Sequence, residues 1–337
     1  MKRRGFIRFL GGAALATVLL AAFSTSLAWS QPPDKPRRVG VLLSASLSDP
    51  GTKRTWEALV DALRSHGWEE GRNLVLEGRF AGPSAARFPE LAAELVALKV
   101  DVIVASNSQS VEAARRKTAT IPIVMVNVTD PVKSGFVASL ARPGGNITGM
   151  ANQMEIVVGK HFELLKEIKP GIERVGIIYV PDNAGSVNTL KYQQEQMAPR
   201  LGLIVLPIPV SKPDDIDDAF ATIRRERPQA LHSHLSTILY AHRAKIAAFA
   251  IDQRLPTVSA FSGLTRDGLL MSYGYDTVAH MRHAVSFVDR ILKGANPAEL
   301  PVEQLDRFEF IINLKTAKAL ELTIPPTLLA RADEVIE

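Results

Sequence analysis

Short apolar runs, each closed by turn residues and followed by a stretch of helical periodicity, recur along most of this chain and confine it to few folds. The first is Arg38-Val39-Gly40-Val41-Leu42-Leu43, stopped by Ser44-Ala45-Ser46-Leu47-Ser48-Asp49-Pro50-Gly51. Trp56, Leu59, Val60 and Leu63 then recur at helical spacing as far as Gly67. Strands are predicted at residues 74–80, 100–105 and 121–128, with helices at 88–98 and 110–117 between them. Strands that are apolar on both faces and separated by amphipathic helices belong to a parallel sheet covered on both sides.

The pattern then halts and restarts. Leu140-Ala141-Arg142-Pro143-Gly144-Gly145-Asn146-Ile147-Thr148-Gly149 stands between the two series. Pro143 disfavours helix at Arg142, Gly144 and Gly145 permit positive φ, and the segment reads as a hinge that Ile147 leaves in extended form. A phosphate cradle is the competing reading, but the segment fits neither G-x-G-x-x-G nor G-x-x-x-x-G-K-[ST]. A second α/β series follows: helix 160–168, strand 174–180, helix 188–201, strand 203–210, helix 216–225, strand 229–235, helix 241–252 and strand 257–260. An extended run at 269–274 leads to a helix at 278–292, whose apolar face carries Met281, Val285, Val288 and Ile291. A strand at 307–313 and short helices at 316–322 and 326–330 complete the α/β reading.

The first thirty residues stand apart from this pattern. Lys2, Arg3, Arg4 and Arg8 precede an uncharged run from Phe9 to Trp29, and Ala28-Trp29-Ser30 offers the small residues of a cleavage site. An export signal cut between Ser30 and Gln31 is expected, and Arg3-Arg4-Gly5-Phe6 resembles a twin-arginine signal. Its removal takes four positive and no negative charges, so the formal net charge of +5 falls to +1. The remainder has no basic stripe and no aromatic-basic interleaving, which argues against nucleic acid. The absence of cysteine excludes a disulfide framework, a thiolate nucleophile and a thiolate zinc site.

Four stretches carry a resemblance to a known family. They are Asp130-Pro131, the run Ala138-Ser139-Leu140-Ala141-Arg142-Pro143-Gly144-Gly145-Asn146, the run Leu270-Met271-Ser272-Tyr273-Gly274, and Ile312-Asn313-Leu314-Lys315-Thr316-Ala317-Lys318-Ala319-Leu320 with Pro325-Pro326 beyond it. Together they resemble the tryptophan-type ABC transporter substrate-binding proteins. The resemblance implies a type I periplasmic-binding fold, with two Rossmann-like lobes of parallel sheet joined by a three-segment hinge. Lobe 1 would comprise residues 31–148 with 274–308, and lobe 2 residues 149–273 with 309–337. It further implies a monomer in the periplasm that binds an amino-acid-like ligand, aromatic ones included, or another carboxylate, and passes it to an ABC permease of the inner membrane. An extracytoplasmic sensor for a membrane receptor is the alternative. The chain departs from the family pattern at Tyr275, where many members have Pro, and at His232-Ser233-His234, where apolar and Pro-Asp residues are common.

Ligands of parallel α/β sheets sit beyond the carboxyl ends of the strands. That rule selects Ser44 and Ser46, Asn107, Ser108 and Gln109, and Thr129 and Asp130 in the first series; in the second it selects Asp182, Asn183, Ser186, Ser236 and Phe261. Tyr273 and Asp276 join them at the crossing. Ser108 and Ser186 stand at helix starts, where free N–H groups favour a carboxylate, although ordinary capping explains either one equally well. Asp130 or Asp276 is the expected partner of a ligand ammonium, and Asp276 has the alternative of capping the helix that follows. His232 and His234 share one face of a strand, the geometry of two metal ligands, but no third ligand is evident, and neither a metal nor a cofactor is expected. His280 and His283, three apart on a helix, read as solvated. No catalytic residues are assigned, because there is no G-x-S-x-G, no nucleophile with an evident base and no carboxylate pair in a plausible cleft.

Overall fold

The computed structural model describes residues 35–337 except 83, 153, 235 and 305–307. The export signal read in residues 1–30 and its cleavage site lie outside the described residues, as do Leu235 and Arg307, read above as strand ends. The strands are β1 Arg37–Leu43, β2 Leu74–Phe80, β3 Val102–Ala105, β4 Ile123–Thr129, β5 Ile147–Asn152, β6 Arg174–Tyr179, β7 Ile204–Pro209, β8 Ala230–Ser233, β9 Thr257–Ser259, β10 Met271–Tyr275, β11 Glu303–Gln304, β12 Phe308–Asn313 and β13 Glu334–Ile336.

They form two sheets. The first runs β11-β5-β4-β3-β1-β2 with every pairing parallel. The second runs β13-β12-β10-β9-β8-β6-β7, and there β12 lies antiparallel to β10 while the other pairings are parallel. The expected helices cover both faces of each sheet. Val39, Val41 and Leu43 of β1, with Val102 and Val104 of β3, pack on the side of Leu59 and Phe287. Leu42, Ile103 and Ala105 face the opposite side, against Phe88 and Leu95. A continuous apolar run thus serves two cores at once, because successive strand residues point to opposite faces.

The Pro-Gly-Gly segment is not the passage between the sheets. Val302 N–H donates to the Leu140 carbonyl at 2.7 Å and Gly144 N–H to the Ala298 carbonyl at 3.1 Å, which holds the loop to the edge of the first sheet. Ile147–Asn152 then pairs with β4 as an inner strand of that sheet. The chain crosses to the second sheet only after β5, into the helix Met154–Ile168, whose Phe162, Leu164 and Leu165 join the second sheet's core. It returns between β10 and the helix Thr277–Leu292, which packs on the first sheet, and crosses a third time between β11 and β12.

Gly274 explains the Tyr-Gly of the run at 270–274. A Cβ there would stand 1.8 Å from the carbonyl oxygen of Ala260, so β10 approaches the end of β9 more closely than any side chain permits. We expect Gly274→Ala to cost at least about 2 kcal/mol in urea unfolding. An unchanged midpoint would mean that the approach is not needed.

Candidate ligand site between the two sheets

Both sheets place their first three strands in the order 2-1-3, so each has a switch point where successive connections leave in opposite directions. In the first sheet it lies between β1 and β3, and the loops there carry Ser44 and Asn107. In the second it lies between β6 and β8, with Asn183, Ser186 and His234. The two switch points border one cavity of about 150 Å³. Gly185 of the second unit sits against the first: a Cβ on it would lie 3.7 Å from Thr129 and 3.9 Å from Ser108 Oγ.

Helices that begin at this cavity include Pro50–Ser65, Ser108–Arg115, Met154–Ile168, Ala184–Tyr192, Thr237–Ala241 and Thr277–Leu292. Several of their caps are made by lining residues themselves. Asn107 Oδ1 accepts from Ser110 N–H at 2.8 Å, Asn183 Oδ1 from Ser186 N–H at 3.2 Å and Ser236 Oγ from Leu239 N–H at 3.1 Å. The positive ends of these helices give the cavity a field that favours negative charge. Yet among the described residues lining it there is no Asp, Glu, Lys or Arg. Its unsatisfied buried atoms are Ser106 Oγ, Gln109 Oε1, Asn127 Oδ1, Asn152 Oδ1 and Thr237 Oγ1, three of them amide oxygens. Buried acceptors of this kind require a donor.

Asn127 reaches the cavity because β4 is irregular. The register slips between Met125 and Val128, and Asn127 takes φ +56°, a conformation Asn tolerates better than most residues.

Across the cleft, Tyr240 Oη donates to Asp49 Oδ1 at 2.5 Å, and Arg243 Nη2 donates to Asp49 Oδ2 at 2.5 Å. Asp49 caps the helix Pro50–Ser65, which packs on the first sheet, while Tyr240 packs in the second sheet's core. The Arg243 guanidinium also stacks over the Tyr240 ring at 4.2 Å and pairs with Asp267. Although burial opposes ionisation, the Tyr240 hydroxyl, the Thr52 amide and Arg243 together hold the Asp49 carboxyl below its ordinary value. The contact is a charged clasp between the two units.

Beneath the cavity lies a chain of buried side chains. His161 Nε2 donates to the Tyr273 carbonyl at 2.5 Å, His161 Nδ1 meets His232 Nε2 at 2.9 Å, and Gln193 Nε2 donates to His232 Nδ1 at 2.8 Å. Gln193 Oε1 then meets His234 Nε2 at 2.8 Å, and His234 Nδ1 meets Ser186 Oγ at 2.8 Å. Both ring nitrogens of His232 and of His234 are therefore engaged within the protein. Burial, as the largest cause, holds His161 down to about 4 and His234 to about 3, and holds His232 well below its usual range.

The structure gathers Ser44, Asn107, Ser108, Gln109, Thr129, Asn183, Ser186, Ser236 and Phe261 around the cavity. Ser46 is instead exposed and bonded to Ser48, and Asp182 is exposed. Asp130 pairs with Lys133 at 2.8 Å. Asp276 spends its carboxylate on Val278 and Ala279 N–H as a helix cap. Tyr273 packs between Phe308 and Phe310, away from the cavity. Asn152 and Tyr240 line it without having been singled out. His280 was expected in solvent. It is buried against Tyr275 with both ring nitrogens unpartnered, and burial holds it down to about 4; His283 bonds Glu303 at 2.5 Å.

Residues 39–336 match the family described as ABC transporter substrate binding protein. The chain belongs to that family. Its members bind solutes and do not transform them, and the fold is that of type I periplasmic binding proteins. A curated relative from Clostridioides difficile strain R20291, named tyrosine-binding protein, is 27% identical over 292 residues, covering 86% of this chain and 83% of the relative. The crystal structure of a conserved domain protein from Vibrio cholerae superposes with a TM-score of 0.82 at 28% identity, covering 89% of this chain and all of that one. An ABC-domain structure from Streptococcus pneumoniae in complex with L-Trp gives a TM-score of 0.81 at 23% identity, with 90% of this chain and all of that chain covered.

The buried histidines make this binding protein's stability depend on pH in a definite direction. Their folded values lie below the ordinary 6.5, so the unfolded chain takes up protons first as pH falls. The stabilisation is complete above about pH 6.5 and is lost progressively down to about 3. We expect the urea midpoint to fall already between about pH 6.5 and 5, above the range in which ordinary carboxylates titrate. A midpoint constant across that interval would contradict neutral buried rings.

Proposed function

We propose that this protein captures an amino acid, aromatic ones in particular, between its two units and releases it to an ABC permease after export to the periplasm. The observation that carries the reading is the cavity's combination of helix starts, three unsatisfied amide oxygens and, among the described lining residues, no Asp, Glu, Lys or Arg. Burying a ligand of net charge in an uncharged cavity is costly, whereas a zwitterion brings no net charge and has both a carboxylate for the helix starts and an ammonium for the amide oxygens. Size agrees with an aromatic group: about 150 Å³ is the volume of a cavity that takes one benzene-sized ring. Phe261, Tyr240, Met154 and Met281 supply apolar wall. The names of the Clostridioides difficile and Streptococcus pneumoniae relatives, with tyrosine and tryptophan, support the same class.

Ligand capture works through closure. A ligand that touches both units stabilises the closed arrangement in which they meet, and the Asp49–Tyr240–Arg243 clasp biases the same equilibrium. The mature chain, titrated with L-tyrosine and L-tryptophan in a thermal unfolding assay, should gain about 2.7 kcal/mol at one hundred times the dissociation constant. No midpoint shift with either amino acid at millimolar concentration would remove aromatic amino acids as the ligand class.

The clasp has its own test. Removing it with Arg243→Ala should weaken binding by roughly ten-fold, mostly through faster release, because the contact exists only in the closed state. Stopped-flow dissociation reads this directly. An unaltered release rate would show that the clasp does not report on closure.

A further inference from the structure

The buried chain beneath the cavity runs in one direction, and the carbonyl at one end and the amide in its middle both require that direction. A carbonyl oxygen only accepts, so His161 must carry its proton on Nε2 to serve Tyr273, which leaves Nδ1 as an acceptor for His232 Nε2–H. Independently, an amide nitrogen only donates, so Gln193 Nε2 makes His232 Nδ1 an acceptor and sets the same tautomer. The other end of the Gln193 amide only accepts. His234 must therefore carry its proton on Nε2, and its Nδ1 must accept from Ser186 Oγ–H. Ser186 Oγ also accepts from Val180 N–H at 3.1 Å. Its proton and one lone pair are thus committed inside the protein, and one lone pair remains on the cavity side.

We infer that Ser186 is a specificity-determining residue that meets the ligand only as a hydrogen-bond acceptor, selecting a primary ammonium at that end of the cavity, with His234, Gln193, His232 and His161 as the positioning residues that hold its hydroxyl turned inward. The inference rests on the amino-acid reading of the cavity and refines it. A serine at a helix start would ordinarily be free to donate to a carboxylate, but here that role is left to backbone N–H groups. Gln193 is fully buried and opens a five-residue π turn, Gln193–Met197, at the end of the helix Ala184–Tyr192. Such turns displace one residue from the regular helical course, and here that residue puts its amide between two rings on β8 and its exit.

Two measurements decide it. Long-range proton–nitrogen NMR spectra of the free protein should show His161, His232 and His234 all as the Nε2–H tautomer from about pH 8 to 6. A proton on His234 Nδ1 would overturn the inference whatever the ligand proves to be. Calorimetric titration then compares L-tyrosine with its deaminated analogue, 3-(4-hydroxyphenyl)propanoate. Ser186→Ala should weaken L-tyrosine binding by about ten-fold or more and leave the analogue's affinity unchanged. Equal losses for both compounds would mean that Ser186 donates to the carboxylate, which also overturns it. Gln193→Leu, which frees the His234 ring to carry its proton on either nitrogen, should narrow the preference for L-tyrosine over the analogue without removing binding. An undiminished preference would rule out the positioning role. If the wild-type protein binds neither compound, the amino-acid reading fails and the selectivity with it, while the ring spectra still decide the direction of the chain.

Discussion

A polar cleft closed between two apolar sheets is stable only if each donor and acceptor it buries has a partner, since a buried acceptor left alone forfeits the hydrogen bond it had with water. This requirement sorts the polar groups of the cleft into two sets. Asn107, Asn183 and Ser236 satisfy the starts of their own helices, and Ser186 with the buried histidines satisfies the floor. Gln109, Asn127 and Asn152 keep acceptors that nothing in the protein answers. The first set makes the walls rigid, and on the proposed reading the second is what a ligand completes. On that reading binding and closure are one event, because the acceptors left for the ligand stand at the ends of strands and helices that belong to the first unit, while the floor belongs to the second.

Much of this was legible in the sequence. Uninterrupted apolar runs such as those of β1, β3 and β4 can only be strands buried on both faces, and the loops after them had to face a common gap. Nine of the residues chosen by that rule line the cavity. What could not be read depends on geometry that is not local. Asn127 enters through a slipped register in β4, and Asn152 ends a strand whose preceding Pro-Gly-Gly loop imitated a hinge. Asp130, Asp276 and Tyr273 lie at the right places along the chain, but a lysine three residues away, a helix start and a pair of phenylalanines claimed them first. His280 shows the same override. Its spacing from His283 suits a solvated helix face, and burial was decided by Tyr275 of the returning strand.

The triplet His232-Ser233-His234 is where this chain departs from the pattern it otherwise resembles, and the structure gives the departure a physical use. Two histidines on one strand face invite a metal, but each ring here is bonded at both nitrogens by protein groups, so the pair acts as hydrogen-bonding spacers between Tyr273 and Ser186. A buried imidazole is suited to this because it has one donor and one acceptor at opposite edges and, held well below its ordinary pKa by desolvation, keeps a fixed tautomer. A backbone constraint on one strand can thereby fix the direction of a hydroxyl on a distant helix.

Keeping formal charge out of the cavity also matters for a protein that must let its ligand go. A buried carboxylate or guanidinium would bind an opposite charge strongly, yet would be left unpaired whenever the cleft emptied closed, a state costing several kcal/mol. On the proposed reading, amide oxygens and helix starts meet the same ligand groups with partial charges that water readily satisfies on opening. The full charges are placed instead at the clasp, where Asp49 and Arg243 keep some contact with solvent and can separate without being stranded. On the proposed reading the cleft opens and closes between two states that are each hydrogen-bonded, one by ligand and one by water, so that a small difference in affinity is enough to drive the motion.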